Sequence, residues 1–160
     1  MPKIELKTKI NAPQTLVFDL SRSIDLHKIS TAQTNETAIA GKTGGLLGLN
    51  EWVTWRAKHL GFYQTLTSKI TEFESPNYFV DEMVKGAFKS FRHEHHFRRV
   101  DNITQMTDMF CFEAPFGIFG RLANGLFLTN YMKRLLSVRN QVIKDVAESN
   151  RWKEIIPKEV

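Results

Sequence analysis

The segment from Phe88 to Glu113, FKSFRHEHHFRRVDNITQMTDMFCFE, has the clearest strand pattern in this chain. Apolar and polar residues alternate on both sides of Asp101-Asn102, which is typical of two strands joined by a two-residue turn. Such a turn pairs Val100 with Ile103, and counting back from it predicts which residues face one another. The predicted pairs are Phe97 with Met106, His95 with Asp108, His93 with Phe110, and Phe91 with Phe112. The inner face of this hairpin is then apolar apart from two histidines and one aspartate.

A second hairpin has the same character. Apolar and polar residues alternate from Glu51 to His59, and the alternation resumes from Phe62 to Ile70 after a turn at Leu60-Gly61. Counting from that turn pairs residue 59 with 62, 57 with 64, and 55 with 66. It places four side chains on the inner face, namely Trp55, His59, Gln64 and Leu66.

The remaining segments before the C-terminal region extend the sheet. Alternation predicts strands at Lys3–Ile10, Asn35–Ala40 and Tyr78–Lys85, and helical spacing predicts two short helices, from Pro13 and around Ile24–Ile29. Nearly all strands are linked as hairpins and are therefore antiparallel. The register of strand 78–85 stays open, because a bulge at Gly86-Ala87 would exchange its two faces.

After Pro115 the apolar spacing changes to three and four residues, which predicts one amphipathic helix from about Ile118 to Ser149. Its expected apolar stripe is Leu128, Tyr131, Leu135, Val138, Val142 and Val146. Polar residues, Lys133, Arg134, Asn140, Lys144 and Asp145, lie between them. The apolar face of the sheet is the partner large enough to bury this stripe. We therefore predict an α+β fold in which a seven-stranded curved antiparallel sheet grips a long C-terminal helix.

Composition narrows the class of protein. With 160 residues, 42% apolar and 24% charged, the chain has the size and balance of one globular domain, residues 1–160. Its one cysteine, Cys111, excludes an internal disulfide and a multi-cysteine metal site. No apolar run reaches the ~18 residues of a membrane span, and the N-terminus lacks the apolar stretch of a secretion signal. A cytoplasmic protein without an integral membrane segment is expected.

The net charge of +5 raises the question of nucleic-acid binding. The 22 Lys and Arg residues are spread over the whole chain and not concentrated in one stripe, so we expect no nucleic-acid partner. The glycine-rich segment Gly41–Asn50 contains Gly-Lys-Thr, but Glu36 stands where a phosphate-binding loop needs its first glycine. We interpret it as a mobile loop over the sheet.

The order of elements and several sequence segments resemble the START-like, or SRPBCC, superfamily, which has the helix-grip fold. The segments are INAPQTLVFDL at 10–20, EWVTWRAKHLG at 51–61, HEHHF at 93–97, MTD at 106–108 and APFGIFG at 114–120. Together they look like a bacterial, polyketide cyclase/dehydrase-like subfamily of small ligand-binding proteins. The resemblance implies a deep cavity between sheet and helix that holds an apolar small molecule.

The predicted inner faces and the helix stripe give the candidate ligand-binding residues. They are Trp55, His59, Gln64, Leu66, Phe91, His93, His95, Met106, Asp108, Phe110, Leu128, Met132 and Leu135. No cofactor is expected.

Two histidines on one strand face also suggest a zinc site, since His93 and His95 project together and Asp108 or His59 could supply a third ligand. The alternative is that the histidines and Asp108 satisfy one another by hydrogen bonds. We favour that alternative and expect no metal, because a site needs three or four converging ligands with outer support.

His95 and Asp108 could instead form a catalytic acid-base pair. We favour a structural or ligand-orienting role, because no nucleophile lies beside them in the predicted register. Three functions remain open: binding or carriage of an apolar small molecule, a cyclase or dehydratase that uses this pair in the same cavity, and a protein-interaction module linked to cell division or folding. A cavity filled by side chains would favour the last.

Overall fold

The computed structural model describes residues 1–115, 117 and 127–156. Within them seven strands form one antiparallel sheet in the order β1-β7-β6-β5-β4-β3-β2. The strands are β1 Lys3–Ile10, β2 Thr37–Gly41, β3 Trp52–His59, β4 Phe62–Glu74, β5 Tyr78–Lys85, β6 Ser90–Val100 and β7 Ile103–Glu113. The helices are α1 Gln14–Ser21, α2 Ile24–Ser30, a short 3-10 turn Ala32–Thr34, α3 Thr129–Ala147 and α4 Trp152–Ile155. This is the predicted fold class.

Both predicted hairpin registers are confirmed. Every β6–β7 pair sums to 203, from Val100 with Ile103 back to Ser90 with Glu113. The β3–β4 pairs sum to 121 and include Trp55 with Leu66. Along β6 the residues alternate between buried and half-buried as far as Phe97, as one-sided burial requires.

The register of β5, which the sequence left open, places Phe79 opposite His95 and Asp81 opposite His93. Since these histidines face inward, Phe79 and Asp81 share the inner face of the sheet. The β4–β5 ladder contains two register shifts, near Ser68 and between Ile70 and Glu72. Such irregularities cannot be located by counting along the sequence, which is why the faces of this strand were not predicted.

The C-terminal helix lies where the apolar spacing predicts it, although its predicted start at 118–126 falls outside the described residues. The phase of its stripe was partly wrong. Val138 is 39% exposed, whereas Asn140 is buried and Arg139 beside it is buried too. The buried face of α3 contains Leu136, Arg139, Asn140, Ile143, Val146 and Ala147. The buried stripe therefore contains the polar residues Arg139 and Asn140 where Val138 was expected.

Among the described residues, three apolar clusters hold these layers together. The largest joins α1 and the later part of α3 to the sheet through Phe18, Met106 and Ile143. A second contains Phe91, Phe110, Phe112 and Leu136, and a third contains Ile24, Val53 and Trp55. In the described part of the chain, no helix combines the length and apolar character needed to span a membrane.

The glycine-rich segment after β2 is attached to α2 by hydrogen bonds. The Ile24 amide donates to the Gly45 carbonyl at 2.9 Å, and the Gly45 amide donates to Asp25 Oδ2 at 2.9 Å. Gly45 itself has a φ of +76°, a conformation that glycine adopts without strain. The attachment places Leu47 against the core clusters and in the wall of an internal cavity.

Candidate functional site

A cavity of about 380 Å³ lies between the inner face of the sheet, the α1–α2 pair and α3. Most of the predicted ligand-binding residues line it. They are Trp55, His59, Gln64, Leu66, Phe91, His93, His95, Phe110, Leu128, Met132 and Leu135. The pairing registers of the two hairpins bring the strand residues of this set to one concave face.

Two predicted site residues lie elsewhere. Met106 is fully buried in the largest apolar cluster, because α1 covers this end of the sheet and Ser21 Oγ lies 3.4 Å from its sulfur. Asp108 is 1% exposed and does not line the cavity. It lies behind His93 and His95, so its effect on the cavity passes through other side chains.

Asp108 is the centre of a buried polar cluster. His93 Nε2 lies 3.1 Å from Asp108 Oδ1 in a hydrogen bond, which the imidazole N–H donates to the carboxylate. His95 Nδ1 lies 2.8 Å from the same oxygen, but this contact lacks hydrogen-bond alignment and is best described as electrostatic. The two rings lie 3.8 Å apart between centroids. As predicted, Asp108 accepts a hydrogen bond from His93, but it contacts His95 without forming one.

Asp81 is a residue that sequence analysis missed, because the register of β5 was open. Its Oδ1 lies 3.1 Å from His95 Nε2 in a hydrogen bond and 3.7 Å from His93 Nδ1. Each imidazole thus has one nitrogen toward Asp108 and the other toward Asp81. Asp81, unlike Asp108, lines the cavity.

Helix α3 contributes the other missed residues. Asn140 Nδ2 donates to Asp108 Oδ2 at 2.7 Å, and Arg139 donates to Asn140 Oδ1 at 2.9 Å and to the Ser21 carbonyl at 3.1 Å. The Arg139 guanidinium also lies 3.5 Å from Asp108 Oδ1 and reaches the cavity wall. A helical stripe from Leu136 to Ile143 passes through both polar residues, and this spacing is the signal that could have found them.

Burial and neighbouring charges set the pKa values of this cluster. Burial, together with the charge of His95, lowers the pKa of His93 to about 4 although Asp108 opposes the shift. Burial alone would lower the pKa of His95, but its contacts with Asp108 and Asp81 outweigh burial and raise it. Burial alone would raise the pKa of both aspartates, yet the two histidines and Arg139 lower the pKa of Asp81 and hold that of Asp108 well below its usual range. The cluster therefore combines two carboxylates, a guanidinium, a neutral His93 and a more basic His95.

A second polar group occupies another part of the cavity wall. His59 Nδ1 lies 2.8 Å from the Tyr131 hydroxyl, and burial lowers the pKa of His59. His27 Nε2 lies 3.2 Å from Glu36 Oε1, and its ring lies 4.3 Å from the Trp55 ring between centroids, tilted by 38°. His59 was one candidate for a third metal ligand beside His93 and His95. Among the described residues the group whose ligand atoms converge is instead Asp81, His93 and His95, all within 4.8 Å of one another.

The third histidine of the H-E-H-H motif, His96, lies on the outer face of the sheet. His96 pairs with Glu94 at 3.0 Å on the other face of β6, and its side chain is 41% exposed. It shares the strand with the buried histidines but touches neither the cavity nor Asp108. His96 is therefore a matched control for changes at His93 and His95.

Comparison with known proteins identifies the fold. No family model and no curated protein matches the sequence. Several solved structures do match. TTHA0849 from Thermus thermophilus matches with a TM-score of 0.70 at 17% identity over 91% of this chain and 99% of that one. The ginseng major latex-like protein 151 from Panax ginseng matches with a TM-score of 0.67 at 15% identity over 92% and 98%. Ara h 8.0201 matches with a TM-score of 0.63 at 10% identity over 91% and 97%. These neighbours agree with the resemblance found in the sequence, and the chain has the START-like helix-grip fold.

Proposed function

We propose that this chain binds or carries an apolar small molecule, such as a lipid, an isoprenoid, a quinone or a polyketide-like aromatic compound. The observation that carries the proposal is the cavity of about 380 Å³ between the sheet and α3. Small-molecule sites are cavities of roughly 300–1,000 Å³ with mainly apolar walls and a few polar groups that fix orientation. This cavity has both features.

Aromatic side chains favour a ligand that contains rings. Phe91 and Phe110 lie 5.3 Å apart between centroids in one part of the wall, and Trp55 lines another. Aromatic surfaces gain from stacked and edge-on contacts with other rings in addition to the burial of apolar area. A flat, ring-containing molecule would make more of these contacts than a single flexible chain.

Polar groups in the wall support a ligand that is apolar over most of its surface and polar at one end. Asp81 accepts hydrogen bonds, and Arg139 donates them, from the same part of the wall. A polar atom of the ligand that reached these groups would be held in one orientation. In this proposal Asp108 positions His93 and His95 and does not touch the ligand.

A second candidate is a cyclase or dehydratase that uses the same cavity. His95 at the cavity wall with carboxylates beside both ring nitrogens is the observation that favours it, since a histidine paired with an acid can transfer a proton. The binding proposal is preferred because it requires only the cavity, whereas proton transfer would have to compete with the carboxylates that both ring nitrogens of His95 face within 3.1 Å. An interaction module linked to cell division or folding is the least supported, because the interior is not filled by side chains.

Titration with N-phenyl-1-naphthylamine, a neutral apolar fluorescent probe, tests the proposal. Saturable binding is expected for the wild-type chain, and Leu135→Trp, which projects an indole into the cavity from α3, should weaken it about tenfold, or about 1.4 kcal/mol. Val138→Trp is the matched control, because Val138 lies on the same helix and is 39% exposed. Absence of saturable binding, or equal affinities for the wild type and Leu135→Trp, would contradict the proposal.

A further inference from the structure

We propose that Asp81, His93 and His95 form a binding site for one divalent first-row transition metal ion, with zinc as the representative ion, at the wall of the cavity. Their ligand atoms lie within 4.8 Å of one another. Two imidazoles and one carboxylate are a donor set that such ions prefer, and three protein ligands leave a coordination position open. The sequence offered Asp108 or His59 as the third ligand, whereas the structure brings Asp81 to the two histidines.

The distances between the ligand atoms suit a metal ion. Zinc bonds of about 2.0–2.1 Å in tetrahedral geometry separate neighbouring ligand atoms by roughly 3.3 Å. Asp81 Oδ1 lies 3.1 Å from His95 Nε2 and 3.7 Å from His93 Nδ1, and these two separations lie on either side of that value. The third separation, between the ligand nitrogens of the two histidines, is within 4.8 Å, so a bound ion requires side-chain rotations that draw the three atoms around it.

Asp108 supplies the outer support that a histidine site requires. It accepts the hydrogen bond of His93 Nε2 and contacts His95 Nδ1, which are the ring nitrogens turned away from Asp81. Metal-binding histidines characteristically donate their second N–H to a carboxylate, because this fixes the ring and directs the lone pair of the other nitrogen at the metal. Asp108 itself is held by Asn140 at 2.7 Å.

Charge also favours a cation at this place. With neutral imidazoles, as metal ligation requires, the carboxylates of Asp81 and Asp108 and the Arg139 guanidinium sum to a net charge of −1. Arg139 lies beside Asp108 and leaves Asp81 as the carboxylate exposed to the cavity, with its side chain 23% accessible. The hydrogen bond to Asp108 leaves the His93 lone pair on Nδ1, so two acceptors face each other at 3.7 Å. A positive ion between them would satisfy both.

The open position of such an ion faces the cavity, since all three ligands line its wall. An oxygen atom at the polar end of a bound molecule, such as a carbonyl, a hydroxyl or a carboxylate, could occupy it. The metal site does not depend on the proposed apolar binding, because it requires only residues of β5, β6 and β7.

Zinc binding by the full chain tests the site. The protein is stripped with chelator, dialysed near neutral pH and titrated with zinc chloride in a calorimeter, and cobalt(II) is added in parallel to measure the visible absorption of its coordination sphere. We expect one ion per chain. Asp81→Asn keeps the shape of the side chain and should weaken zinc binding by more than about a hundredfold, since loss of an outer partner alone costs roughly 10- to 100-fold. His95→Gln should have the same effect, and His96→Gln should leave binding unchanged.

Several results would overturn the site. Uptake of well under one zinc per chain by the wild-type protein would overturn it without any variant. Zinc binding that survives Asp81→Asn, or that disappears with His96→Gln, would also overturn it. Binding of N-phenyl-1-naphthylamine, measured on the same metal-free samples, separates the two proposals, and circular dichroism of those samples reports whether each variant is folded. Probe binding without zinc binding would overturn the metal site and leave apolar binding standing, whereas zinc binding without probe binding would support the site and remove the proposed carrier function.

Discussion

Asp108 shows how one buried residue organises many others. Its two oxygens meet His93, His95, Asn140 and the Arg139 guanidinium at 2.7–3.5 Å, while only 1% of the residue is exposed. A buried carboxylate is tolerated because its partners replace the water that it loses. Removal of the carboxylate would leave Arg139 buried without its compensating charge, which is more costly than absence of the whole pair.

Asp108→Asn should therefore destabilise the protein by about 3 kcal/mol, and Arg139→Met by a similar amount. The double variant should cost clearly less than the two single changes together, because each single change leaves the other group unpaired. Urea unfolding of the four proteins measures this coupling. His96→Gln, on the outer face, should stay within about 0.5 kcal/mol of wild type. Additive costs at positions 108 and 139 would show that the pair is not coupled.

The low pKa of His93 predicts how stability depends on pH. The folded chain keeps His93 neutral down to a pKa of about 4, whereas an unfolded histidine takes up a proton near pH 6.5. The unfolded state therefore binds more protons between these values, and stability falls as pH falls through this window. For metal-free protein this amounts to about 2 kcal/mol between pH 7 and pH 5.

The check is urea unfolding at both pH values for the wild type and His93→Gln. His95 has the opposite sign: its raised pKa contributes stability below pH ~6.5 that is lost at higher pH, and it is present in both proteins, so its effect largely cancels. The variant should lose less stability on acidification than the wild type. Equal losses would mean that His93 is not held neutral by its surroundings.

Elements differ in how much of their geometry the sequence determines. The β6–β7 register followed from a two-residue turn and an uninterrupted alternation, so His95 could be placed opposite Asp108 by counting. The faces of β5 could not be predicted, because the β4–β5 ladder contains two shifts, and Asp81 was missed for that reason. On α3 the sequence predicted the helix but assigned Asn140 to the polar side, because the apolar stripe was drawn through Val138 and Val142.

The corrected phase of α3 makes a prediction for neighbouring positions. Asn140→Ala should destabilise the protein by about 1–3 kcal/mol, because Asp108 loses its 2.7 Å hydrogen bond in a buried site. Gln141→Ala, one residue further on the exposed side, should change stability by less than about 0.5 kcal/mol. Thermal or urea unfolding of both variants measures the difference. Equal effects would indicate that the buried side of α3 is assigned wrongly.

At the scale of the whole molecule, the cavity lies where the three apolar clusters meet. Its wall contains Phe79 from the largest cluster, Phe110 from the second and Trp55 from the third. Protein interiors are normally packed without gaps of this size, because unfilled space loses the contacts that its lining atoms would otherwise make. The gap between sheet and helix can instead be occupied by a bound molecule. Such a ligand would stabilise the folded chain by an amount that rises with its concentration and affinity.

Native mass spectrometry of freshly purified protein tests whether the cavity holds a ligand, because it detects a retained small molecule whatever the identity of that molecule. We expect a mass excess that corresponds to one small organic molecule per chain, present in the wild type and in Val138→Trp and reduced in Leu135→Trp, where the indole occupies part of the cavity. Wild-type protein that carries no such mass, even after incubation with a lipid extract, or a mass excess that is the same in Leu135→Trp, would contradict the claim that this cavity binds an apolar molecule.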